Sequence, residues 1–128
     1  MRLCYLESLK KRRDAIEKVL NERLSYYMAI LPAIYGENWD VEVDDTFRIK
    51  KEKLCNCVTI LKKEGDEYRE IYIKNMNIST LIGFTIALEK FDKDIEKLAK
   101  KMYENILDAL SPEMYMEVLE REEKSKGE

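Results

Sequence analysis

From Leu3 to Ile34 apolar residues recur at Leu6, Leu9, Ile16, Leu20, Leu24, Tyr27, Leu31 and Ile34, in steps of three and four or their sum. That is the period of an α-helix with one apolar face. Pro32 has no N–H and disfavours a helical residue before it, so the regular helix is predicted to end or kink near Ile30. Gly36 follows as a chain-reversing stop. The period then drops to two. Trp39, Val41, Val43, Phe47 and Ile49 all fall on odd positions with Asp40, Glu42, Asp44 and Arg48 between them, the alternation of a half-buried strand bent near Asp44-Asp45. A second strand is predicted over 54–62 and a third over 68–74, joined by the polar loop at 64–67.

Beyond Asn77 and Ser79, both able to cap a helix, the period returns to 3.5. Leu81, Phe84, Leu88, Phe91, Ile95, Leu98, Met102, Asn105 and Ala109 alternate steps of three and four, and only Asn105 interrupts the apolar seam. Ser111-Pro112-Glu113 restarts the chain as an N-cap with proline at the first helical position. A short helix with Tyr115, Val118 and Leu119 as its contact face is expected there. The expected fold is α+β: a long N-terminal helix, an antiparallel three-stranded β-meander, a long heptad-patterned helix and a short C-terminal helix. It is read as one domain over residues 1–128, with a frayed charged tail over 120–128.

Length adds a constraint. A helix over 78–110 would be about 50 Å long, whereas a compact domain of this size is roughly 36 Å across. Either the helix breaks, with Gly83 as one break point, or its end needs a partner. The partner expected from the seam is a second copy of the chain, a dimer formed through Leu88, Phe91, Ile95, Leu98 and Met102. The competing expectation is that the seam packs within the chain.

Composition narrows the chemistry. The 128 residues contain no histidine, which removes Ser-His-Asp and Cys-His nucleophile activation, His-ligated zinc and an imidazole shuttle. With 45% hydrophobic and 38% charged residues the chain falls in the globular class. No apolar run is long enough to span a membrane, the first residues are charged, and a cytoplasmic protein is expected. Three cysteines are an odd number for a disulfide framework. Cys55 and Cys57 would share one face of a strand, about 6.7 Å apart, a poor disulfide geometry, and with Cys4 they supply three soft ligands where structural zinc takes four. All three are expected to be small core hydrophobes. Asp40, Glu42 and Asp44 alternate onto one strand face, the beginning of a Mg²⁺ site. They lack the lysine that a two-carboxylate nuclease site places two residues past its second acid, so a solvated strand face is the expectation.

Lys10-Lys11-Arg12-Arg13 is the one basic run. On a helix four consecutive residues fan around most of the circumference and make no continuous patch, and Arg13 falls on the apolar stripe, where it would pair with Glu17. Lys10, Lys11, Arg12 and Lys18 remain as possible nucleic-acid contacts. Tyr68 and Tyr72 are expected on one strand face, opposite Ile71 and Ile73. Four glycines at 36, 65, 83 and 127 form no phosphate-binding loop. No cofactor and no metal are expected. The function expected is a non-catalytic module that self-associates through helices and binds another macromolecule. A nucleic-acid-binding protein is the alternative, and a metal-dependent enzyme at the three strand carboxylates the distant third.

Overall fold

The computed structural model describes the backbone of residues 2–52, 54 and 56–126, and the side chains of 4–52, 54 and 56–125. The fold is α+β, with three α-helices and one four-stranded antiparallel sheet among the described residues. The chain divides into two compact units, Met1–Phe91 and Asp92–Glu128.

In the first unit, α1 (Arg2–Tyr35) runs through Pro32 where a break near Ile30 was expected. Pro32 lacks the N–H that would bond back to Met28, but the same turn carries Tyr27 and Leu31, both completely buried. Burial of those two side chains outweighs one lost hydrogen bond. Gly36, at φ 90°, then ends the helix, its N–H donating to the Pro32 carbonyl at 3.0 Å.

The odd-position apolar run folds as a hairpin rather than as one bent strand. It gives β1 (Asp40–Glu42) and β2 (Phe47–Lys50), paired antiparallel with Val41 opposite Ile49. Asp44 makes the reversal: its Oδ1 accepts from the N–H of Thr46 at 2.9 Å and of Phe47 at 2.8 Å. This is the local side-chain-to-backbone bonding at which aspartate excels in turns. Residues of like parity face each other in this register, so both halves keep their odd side chains on one face. Trp39, Val41, Val43, Phe47 and Ile49 are all buried. The meander therefore has four strands, not three. β3 (Thr59–Glu64) and β4 (Glu67–Ile71) complete it in the order β1-β2-β3-β4. Both start and end away from the expected 54–62 and 68–74, because the chain turns at Leu54 and closes as a 3-10 turn over Ile73–Asn75. A positive φ of 64° at Gly65 makes the tight β3–β4 turn.

α2 (Ile78–Ala109) opens with Asn77 as its cap, the side-chain oxygen accepting from the Thr80 N–H at 2.8 Å. It passes through Gly83 without a break. Within the first unit, Leu20, Leu24, Tyr27 and Leu31 of α1 and Leu81, Phe84, Leu88 and Phe91 of α2 are buried with the inner face of the sheet. Tyr27 meets Phe91 edge-on at 5.5 Å and Phe47 meets Phe84 at 5.1 Å. Arg13, paired with Glu17 at 3.0 Å as its position on the stripe predicts, also donates to the carbonyls of Ile73 and Lys74. With Arg13 at the 3-10 turn and Tyr27 at Phe91, α1 and the first-unit part of α2 run in the same direction.

The second unit holds the rest of α2 and α3 (Pro112–Lys126). Ser111 caps α3, its Oγ accepting from the Met114 N–H at 3.3 Å. Tyr103 of α2 donates its phenol to Glu122 of α3. The stretch from Glu120, expected to fray, is helical through Lys126.

Candidate functional site

Among the described residues the candidate chemical sites do not assemble. Asp40 pairs with Arg48 at 3.1 Å and Asp44 is committed to its turn, so the three carboxylates do not act as one group. Among the described residues no group of three or more His, Cys, Asp or Glu is placed to hold a metal ion. Two of the three cysteines, expected in the core, are exposed: Cys4, and Cys57, which is disulfide-bonded; Cys55 lies outside the described residues. The chain reaches the sheet only at Thr59, so Cys57 stands in a loop and not on the strand that would have buried it.

The outer sheet face is polar and internally paired. The Arg48 guanidinium lies 5.7 Å above the Tyr68 ring as well as beside Asp40. Partial burial lowers the Arg48 pKa and the Asp40 carboxylate raises it, with a net upward result. Tyr68 and Tyr72 are both exposed, but Tyr72 follows β4, and its phenol donates to Glu70 at 2.9 Å. That bond raises the Tyr72 pKa above its ordinary value.

The basic run is exposed at Lys10, Lys11, Arg12 and Lys18. Along α1 at 100° per residue, Lys10, Lys11 and Lys18 occupy one side with Glu7 and Asp14 between them, and Arg12 falls on the other. The helix therefore offers phosphates an interrupted surface.

What the fold leaves open is apolar and helical. The α1 stripe is fully covered at Leu20, Leu24, Tyr27 and Leu31, yet its continuation toward the N-terminus is bare: Leu6 is 61% and Leu9 49% exposed, with Tyr5 beside them. The α2 seam behaves likewise. Leu88, Phe91 and Ile95 are 2%, 4% and 6% exposed, so the single chain already buries them, and exposure begins at Leu98 with 36%. Met102 is half-buried, and Ile106, four residues on, is exposed. Of the five residues expected to associate, three are core and two stand at the uncovered end. Ile106 escapes a strict heptad reading because Asn105 takes the seam position; the 3.6-residue period from Met102 would have found it. On the far side of α2, Ile78, Ile82 and Ile86 form a shorter exposed row.

Compared with known protein families, curated proteins and solved structures, the chain has no significant match to any. No helix among the described residues is long and apolar enough to cross a membrane.

Proposed function

We propose that the protein is a cytoplasmic, non-catalytic interaction module that self-associates through helix faces left bare in the single chain and, so assembled, binds another macromolecule. One observation carries this: the apolar stripe of α1 continues in phase past its buried part to Leu6 and Leu9, which are 61% and 49% exposed among the described residues. Helices keep an apolar stripe in register when something packs along it.

Magnitudes decide what kind of association to expect. Leu6 and Leu9 are 61% and 49% exposed, so covering what remains contributes about 2–3 kcal/mol, while association costs about 4–15 kcal/mol in lost freedom. Leu98 and Ile106 add comparable amounts, so the balance favours a concentration-dependent assembly over a permanent one. Light scattering at two concentrations tests it. The mass is expected to rise with concentration, and the double variant Leu6→Asp, Leu9→Asp is expected to stay monomeric with unchanged helical circular dichroism. A wild-type chain that remains monomeric at both concentrations would refute self-association.

The second reading rests on the exposure of Lys10, Lys11, Arg12 and Lys18. It requires salt-sensitive retention of DNA or RNA in filter binding, and Glu7 and Asp14 between the lysines weigh against it.

A further inference from the structure

A second kind of open surface lies against the core of the first unit. Between α1, the start of β3 and the end of β4 there is a cavity of about 380 Å³. Its apolar lining includes Leu24, Ile60, Ile71 and Ile73, and of these Leu24, Ile60 and Ile73 are buried. Buried aliphatic side chains around a hollow of this size lack neighbours on one side, whereas protein interiors are close-packed. The volume lies in the range of small-molecule sites, roughly 300–1,000 Å³. A hollow of about 350 Å³ near the start of α2 is different in kind, with Lys62 and Arg69 set against Glu64 and Glu70. There Glu64 pairs with Arg69 at 3.7 Å and Glu70 accepts from Tyr72, so the charges of that lining sum to zero and select no ligand.

Charge distinguishes what the apolar cavity would take. The charged residues that line it are Glu17 and Lys74. Glu17 is already paired with Arg13 at 3.0 Å, and Arg13 donates in turn to the carbonyls of Ile73 and Lys74. Arg13, Glu17 and Lys74 together leave one positive charge in excess. A cationic ligand is opposed there, a neutral one leaves the excess unanswered, and an anion meets it. We propose that this cavity binds a small aliphatic carboxylate, its chain against Leu24, Ile60, Ile71 and Ile73 and its carboxylate at Lys74. The site is separate from the bare helix surface through which the chain self-associates, and neither requires the other.

Octanoate and octylammonium, one chain with opposite heads, test this on the full protein. In calorimetric titrations wild type is expected to bind octanoate saturably and about threefold or more tightly than octylammonium. High salt is expected to shrink that preference. Lys74→Glu changes one exposed residue, so the fold is expected to persist, with circular dichroism as the check. Its preference is expected to reverse toward octylammonium. Amide NMR shifts on adding octanoate to wild type are expected to centre on Ile60, Ile71 and Ile73. Absence of saturable octanoate binding would overturn the proposal. So would an unchanged preference in folded Lys74→Glu, or shifts confined to the bare stripe at Leu6 and Leu9. None of these results bears on self-association, which is read separately from the mass.

Discussion

A single carboxylate decides how the first sheet hairpin forms. Asp44 Oδ1 holds two backbone N–H groups, and without it the reversal between β1 and β2 depends on water for both. Asp44→Ala is expected to cost about 1 kcal/mol of stability, and Asp44→Asn, which keeps the acceptor, well under that. Urea denaturation separates the two outcomes, and equal losses would refute the role given to the acceptor. Tyr103 supplies a second check. Its phenol donates to Glu122, which raises its pKa above the ordinary 10.0. The folded state then holds that proton more tightly than the unfolded state, so the contribution is complete below pH 10 and is lost as pH rises through the raised value. Tyr103→Phe is expected to flatten the fall in melting temperature as pH rises above 10. An unchanged alkaline slope would contradict the link.

At the scale of elements, most of the fold was legible, because periodicity reports which faces are buried. The odd-position run from Trp39 to Ile49 identified every buried side chain of the first hairpin, yet concealed the reversal. Parity is conserved across a turn whose register pairs odd with odd, and a bent strand gives the same alternation. Asp44-Asp45 was the available signal. The strand expected from Leu54 failed for another reason: Val58, Ile60 and the residues before them look strand-like, but pairing with β2 begins only at Thr59. Helix α1 outlasted Pro32 because tertiary burial outweighs local propensity in the last turn. Periodicity also showed the α2 seam without showing how far the chain covers it, since coverage depends on residues distant in sequence. Gly83 was read as a break point and is helical. A Cβ built there meets only Phe47 Cε2, at 3.9 Å, an ordinary contact. Gly83→Ala is therefore expected to stabilise the protein by about 0.4–1 kcal/mol, seen as a raised denaturation midpoint; a lower midpoint would mean that the helix needs glycine at that point.

For the whole molecule, histidine-dependent chemistry is excluded by composition, and among the described residues no cluster of carboxylates and thiols is placed to hold a metal ion. Apolar helix surface that runs in phase out of the covered core is what the molecule offers. The most direct test of that claim is sedimentation velocity of wild type beside Leu6→Asp, Leu9→Asp over a range of concentration. Self-association through the bare α1 stripe predicts that wild-type mass rises with concentration while the double variant stays monomeric and folded. Identical behaviour of the two chains, whether both monomeric or both associated, would contradict it.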